Sequence, residues 1–343
     1  METVREAVLY QTEDGVVQCL LCERLCRIPQ GKRGFCGARR NSEGVLYTLT
    51  YGHISALESR PIEIKPFFHY HPGSSAMTFS TWGCNLPCPW CQNWHLSRRR
   101  ADPRRAAYLS PGELVEKALR EGDRGVCASF QEPTILFEYL LDVFRLARER
   151  GLYSCAVSNG YMTERALEML REAGMDAINI DIKGDEEVYR KYLGGLRAEV
   201  VWRNAEKARE LGIHVEMVNL IVTGVNDSRE QIKAIVEEHL RRLGSMVPLH
   251  FTRYFPAYRF TAPPPQVSLL EDAYNLARDM GVCYPYVGNI PGHRYENTYC
   301  HRCGLLLIER DAYSIKSYRV TRDKRCPGCG AEIPLVGDPP IVS

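Results

Sequence analysis

Three cysteines in the string GCNLPCPWCQNW (Cys84, Cys88 and Cys91) are spaced so that one loop offers three thiolates and no fourth. Iron–sulfur clusters ordinarily take four thiolates, so such a loop leaves one iron open to an outside ligand. An open coordination position marks a catalytic metal site, whereas a saturated one is structural. The loop is made for the purpose. Gly83 permits a tight start, Pro87 and Pro89 stiffen the turns between ligands, and no charged side chain intrudes.

Fourteen cysteines occur in 343 residues, and most of the others are clustered too. Cys300, Cys303, Cys326 and Cys329 form two CxxCG knuckles, which predict an all-thiolate tetrahedral zinc ribbon stapling a small C-terminal module. Cys19, Cys22, Cys26 and Cys36 would saturate a metal centre with a structural or electron-relay role. Their uneven spacing leaves zinc and a second [4Fe–4S] cluster both open. Cys127, Cys155 and Cys283 stand alone in apolar surroundings and are expected in the core.

The chain starts METVREAVLY, without a basic start and long apolar run, so no signal peptide is expected. The charge-free stretch from Pro66 to Ser97 is too broken by proline, glycine and asparagine to cross a bilayer. A cytoplasmic protein with reduced thiols is expected, its cysteines serving as ligands rather than disulfides. Hydrophobic residues are 45% and the net charge is +2, enough for a sizeable core and without the basic footprint of a nucleic-acid binder.

The elements that must position the loop alternate strand and helix. AMTFSTW, GVCASF, YSCAVS, DAINIDIK, HVEMVNLIV, PLHFTRYF and CYPYVG read as strands. Helices are predicted from Ser110-Pro111-Gly112-Glu113, through Leu136–Phe144, over Thr163–Ala173 and Val200–Leu211, near Ser228–Leu243, and over Leu269–Met280. The class is α/β with a parallel sheet. Six or seven units fall short of a closed barrel, which predicts a partial (β/α)6-type TIM-like barrel, with a doubly wound sheet as runner-up. Residues 1–72 are expected as a four-cysteine metal-binding extension, 73–292 as the partial barrel and 293–343 as the ribbon. Loops after the strands gather on one rim the residues Gln131, Glu132, Ser158, Asn159, Asp181, Lys183, Asn219 and His250. A Glu63–Lys65 pair stands near that rim as a candidate substrate contact.

At these residues the chain resembles the radical S-adenosylmethionine (SAM) superfamily, whose signature is CxxxCxxC after the first barrel strand. The resemblance implies a [4Fe–4S] cluster on Cys84, Cys88 and Cys91, with SAM chelating the fourth iron. Reductive cleavage then yields a 5′-deoxyadenosyl radical that abstracts hydrogen. It also implies that Trp90 lies near the adenine. Gln131-Glu132 stands where relatives hold the methionyl amino group, although Gln131 departs from their Gly-Gly-Glu pattern. Ser158, Asn159, Asp181 and Lys183 resemble strand-end elements of pyruvate formate-lyase activating enzymes. From residue 16 to 335, the strings GKRGFCG, PIEIKP, QEPT and GNIPGHRYENTYC are similar to the radical enzymes of the AmmeMemoRadiSam system. That likeness implies Memo-type and AMMECR-type partners, an electron donor and an unidentified substrate. A glycyl-radical-enzyme activase and a non-catalytic zinc or iron–sulfur scaffold are the competing readings.

Overall fold

The computed structural model describes residues 2–340, so residue 1 and residues 341–343 of the expected terminal regions lie outside it. The centre is an eight-stranded sheet whose strands lie side by side in chain order. They are β1 (Ala56–Pro61), β2 (Ser75–Ser80), β3 (Gly125–Ala128), β4 (Tyr153–Ser158), β5 (Ala177–Asp181), β6 (His214–Ile221), β7 (Leu249–Arg253) and β8 (Pro285–Gly288). Only the β1–β2 pair is antiparallel; each later neighbour runs parallel. A doubly wound sheet reverses its strand order at a switch point, and this one has no reversal. No β8–β1 ladder closes it among the described residues, as in an unclosed barrel.

The helices form where the local chemistry starts and stops them. Helix α1 (Pro111–Arg120) begins at a capping box in which Ser110 and Glu113 satisfy each other's backbone N–H, with proline at its first position. Its Leu114, Val115 and Ala118 are buried. Then come α2 (Phe137–Glu149), α3 (Glu164–Ala173), a short α4 (Glu186–Tyr192), α5 (Ala198–Glu210), α6 (Arg229–Leu243) and α7 (Val267–Met280). Ser228 and Gln231 form a second capping box at α6. Gly174 ends α3 in the left-handed conformation that a side chain would strain.

A parallel sheet must be covered on both faces. One face packs on the helices through residues such as Phe79, Ile178, Met217 and Phe251. The other is plugged by the segment between β1 and β2: Ile62, Phe67 and Tyr70 pack against Ala76, Cys127, Cys155 and Ala177. Cys127 and Cys155, both fully buried, are therefore core residues as expected, while Cys283 packs partly buried beside the ribbon. The expected boundary at residue 72 falls inside this central unit, because β1 and the plug belong to it.

Two three-stranded sheets precede it, one from Tyr10–Glu13, Val16–Cys19 and Arg27–Ile28, the other from Arg5–Glu6, Val45–Thr48 and Arg39–Ser42. The C-terminal module is a third, from Thr298–Tyr299, Leu306–Asp311 and Ser314–Tyr318. Its two knuckles are built alike. Cys300 N–H donates to Leu305 and Cys326 N–H to Ala331, while Gly304 and Gly330 turn back on the first cysteine's carbonyl at φ of +74° and +72°. That positive φ is why each CxxC is followed by glycine. The four sulfurs lie within 4.8 Å of one another, with Cys300–Cys329 and Cys303–Cys326 each at 3.6 Å. Tetrahedral zinc with thiolate bonds of about 2.3 Å needs sulfurs about 3.8 Å apart.

Candidate functional site

A cleft of about 450 Å³ opens at the carboxyl ends of the parallel strands. Cys84, Cys88 and Cys91 line it from the loop after β2, and Trp90 from between them. Trp90 is buried edge-on between Tyr192 and Phe260. Gly83 has φ +99°, and a Cβ there would meet the Cys36 carbonyl at 2.5 Å, so the loop's start presses against the N-terminal extension. Burial pushes the Cys88 thiol up to about 11 and Cys84 further. Buried thiols of this kind ionise when a metal takes them. The sulfurs of this loop do not gather within single-ion spacing, unlike those of the ribbon.

Around the thiols, Glu132 organises one wall. Its carboxylate accepts from Thr134 N–H (3.1 Å) and Oγ1–H (2.5 Å), from Ser158 Oγ (2.8 Å) and from Asn159 N–H (2.9 Å). Asn159 then donates to Asn85 Oδ1 at 2.7 Å, tying the strand-end turn after β4 to the cysteine loop. Glu132 is thus both a cleft residue and the cap of the turn beginning at Pro133. Asp181 and Lys183 pair at 2.6 Å at the end of β5. Burial opposes charge on Lys183, but Asp181 outweighs it and holds the ammonium well above its ordinary range.

Other polar atoms here have no partner. Both amide atoms of Gln131 and Asp181 Oδ1 are buried without a hydrogen bond. Orphaned buried polar groups are costly in a folded protein and call for an explanation. Both residues line the cleft, where a bound molecule would reach them. Lys65, 3% exposed, reaches the cleft from the plug, its Nζ 4.2 Å from the centre of the Phe130 ring. Among the described residues no carboxylate lies within ion-pair distance of it, and burial lowers its pKa. The Glu63–Lys65 pair does not form; Glu63 accepts from Gly73 N–H at 2.7 Å instead.

Two of the rim residues expected from sequence are elsewhere. Val218 and Leu220 line the cleft, so strand alternation turns Asn219 to the helix face, where it donates to the Ile182 carbonyl at 2.8 Å. His250 is the second residue of β7 and sits too low. Its ring meets buried Glu216 at 2.7 Å and stacks on Tyr286. Tyr313 is a cleft residue that the strand-end pattern does not reach. It lies at the turn of the ribbon hairpin and lines the cleft from outside the barrel.

The geometry has counterparts in other proteins. The profile of the Radical SAM superfamily matches residues 79–239. A pyruvate formate-lyase-activating enzyme of Clostridium pasteurianum is 27% identical over 198 residues, covering 54% of this chain and 76% of that enzyme. Just under half of the chain, residues 79–239, is thus similar to the radical SAM superfamily. An uncharacterized protein of Methanocaldococcus jannaschii is similar from end to end, 40% identical over 336 residues, 97% of this chain and all of that one. The crystal structure of a radical SAM methyltransferase from Sphaerobacter thermophilus superposes with a TM-score of 0.51 at 14% identity, over 84% of this chain and 77% of that chain. That last likeness is one of fold. Radical SAM proteins are iron–sulfur and SAM-binding, and the four ribbon cysteines are placed to hold a metal ion. No described helix is long and apolar enough to cross a membrane.

Proposed function

We propose that Cys84, Cys88 and Cys91 hold a [4Fe–4S] cluster at which SAM is reductively cleaved, and that the cleft then abstracts hydrogen from a substrate. The observation that carries this is the shared cleft: three thiols line it together with the unpartnered amide of Gln131 and the unpaired Oδ1 of Asp181. When bound, cluster and SAM supply a one-electron reduction and a hydrogen-abstracting carbon radical. The chain's own part is positioning and shielding. The Gln131 amide and the Asp181–Lys183 pair offer donors and acceptors to the polar ends of SAM. Trp90 gives its adenine an apolar wall, and Glu132, Ser158 and Asn159 tie the strand-end turn after β4 to the cysteine loop.

Lys65 brings an unpaired positive charge into the cleft, which fits a substrate with a carboxylate or phosphate. Electrons come from a low-potential one-electron donor. The motif likeness along the chain supports membership among the radical enzymes of the AmmeMemoRadiSam system, with Memo-type and AMMECR-type proteins as partners and the ribbon metal as zinc. The similarity to the Clostridium enzyme favours a second reading, in which the hydrogen donor is a protein backbone.

The test is direct. Protein prepared without oxygen and reduced in the presence of SAM is expected to release 5′-deoxyadenosine, and Cys88→Ala to release none. Undiminished release from Cys88→Ala would remove the cysteine loop from the chemistry.

A further inference from the structure

The N-terminal cysteines are as numerous as those of the ribbon, yet they are arranged differently. Cys19, Cys22, Cys26 and Cys36 line one small cavity between the extension and the barrel. Cys19 ends a strand, Cys22 bridges to Met162 beyond β4, and Cys36 precedes the Gly37 turn. Among the described residues only the ribbon's four sulfurs gather within 4.8 Å of one another. One tetrahedral zinc demands that gathering. A cubane cluster spreads its four thiolates over separate irons at its corners, farther apart than the ligands of a single ion.

A second observation comes from the arginines. Arg39 is 2% exposed and lines the cavity, and although Nη1 pairs with Glu138 at 2.6 Å, its Nε and Nη2 have no acceptor. Arg24, on the same cavity, leaves Nη2 unsatisfied while its Nε donates to the Asn85 carbonyl. Buried N–H donors from two guanidinium groups, facing four thiols and otherwise apolar walls, are arranged for an anion with many acceptor atoms. The sulfides and thiolates of a cluster are such acceptors, and hydrogen bonds to them tune cluster potential.

We propose that Cys19, Cys22, Cys26 and Cys36 hold a second [4Fe–4S] cluster, steadied by Arg24 and Arg39. Asn85 lines this cavity and is the neighbour of Cys84 in the cleft, so one residue separates the two cysteine sites. That adjacency suits the second cluster to pass single electrons, drawn from a low-potential one-electron carrier protein, toward the cleft; no bond forms or breaks and no proton moves.

The inference rests on the proposed function only for the irons of the first cluster, and metal content separates the two. Full-length protein reconstituted with ⁵⁷Fe and sulfide is expected to hold about eight irons, and the Cys84→Ala/Cys88→Ala/Cys91→Ala variant about four. Those four should give the Mössbauer doublet of a [4Fe–4S]²⁺ cluster and be absent when Cys22→Ala and Cys26→Ala are added. Zinc or no metal at the N-terminal site of the triple variant overturns the proposal. Suppose SAM changes the paramagnetic signal of reduced wild-type protein while the triple variant holds no iron: the proposed function stands and the second cluster falls. Four irons in the triple variant, with a wild-type signal that ignores SAM, would do the opposite: the second cluster stands and the proposed function falls.

Discussion

The two ends of the same sheet carry buried polar groups of opposite character. At the low end, Glu216 accepts four hydrogen bonds, from Phe68 and His69 N–H and from the His214 and His250 rings. His69 continues the network to Tyr286 at 2.7 Å, Tyr286 to Thr298 at 2.9 Å, and Thr298 to Arg310 at 2.8 Å. Nearly every partner is supplied by the chain itself. At the high end, both Gln131 amide atoms and Asp181 Oδ1 are buried without a hydrogen bond, and Lys65 meets the face of Phe130 rather than a carboxylate. Saturated networks fix architecture, whereas groups left unpaired mark where a ligand completes the set.

The largest effect should come from breaking the saturated end. Burial alone would raise the Glu216 carboxyl, but hydrogen bonds from His214 and His250 hold it well below its ordinary range. Glu216→Ala strands two rings and two backbone donors, and is expected to cost about 3–5 kcal/mol in urea denaturation. SAM cleavage per folded molecule should be unchanged. Lost cleavage at full stability would move Glu216 from architecture to chemistry.

Glu63 is, with Arg310 Nε, an exception at the low end and gives the next effect. Its Oε2 is buried without a partner, and burial pushes its pKa up to about 7 from 4.5. A carboxyl whose folded pKa is raised holds its proton better in the folded state. Its contribution is therefore fully present below pH 4.5 and lost as pH rises through 7. At about 1.4 kcal/mol per pKa unit the loss reaches roughly 3 kcal/mol. Glu63→Gln keeps the acceptor for Gly73 and cannot ionise. Its stability advantage over wild type should open between pH 4.5 and 7 and vanish below. An advantage that ignores pH would show that Glu63 titrates alike in the folded and unfolded protein.

At the high end the sign reverses. Lys65→Met keeps the length and removes a desolvated, unpaired charge, so the protein should gain about 1 kcal/mol. Turnover of an anionic substrate should fall roughly ten- to a hundredfold, the worth of one charge-assisted hydrogen bond. A variant that loses stability would mean that the contact of Lys65 with the Phe130 ring outweighs its desolvation.

Why some of this was legible in sequence and some was not follows from range. Capping boxes at Ser110 and Ser228, the glycines after each CxxC and the strand-end positions of Gln131 and Asp181 are local, and each announces itself within a few residues. His250 and Asn219 lie on equally plausible strand ends. Only strand register, set by neighbours distant in the chain, turns Asn219 to the helices and sinks His250 onto Glu216. The plug from Ile62 to Tyr70 and the antiparallel β1 carry no pattern that separates them from a linker. Lys65 could be noticed as a residue, but not as a lone charge.

Tyr313 is the farthest-reaching case and the smallest expected effect. The ribbon reads as a staple, and in part it is one: Arg310 donates to the Phe68 carbonyl at 2.9 Å and the His69 ring meets the Pro334 carbonyl at 3.2 Å, fixing the module to the plug. Two residues past its first long strand, the same hairpin puts a half-exposed tyrosine on the cleft. The low end thus anchors an element that screens the high end. Tyr313→Ala should leave urea stability within about 0.5 kcal/mol, as for other surface changes. It should let air bleach the visible absorbance of the cluster proposed for the cleft a few-fold faster, because solvent exclusion at the mouth is reduced. Tyr313→Phe keeps the ring and should bleach at the wild-type rate. Equal rates for all three proteins would return the ribbon to a staple and confine the site to the barrel.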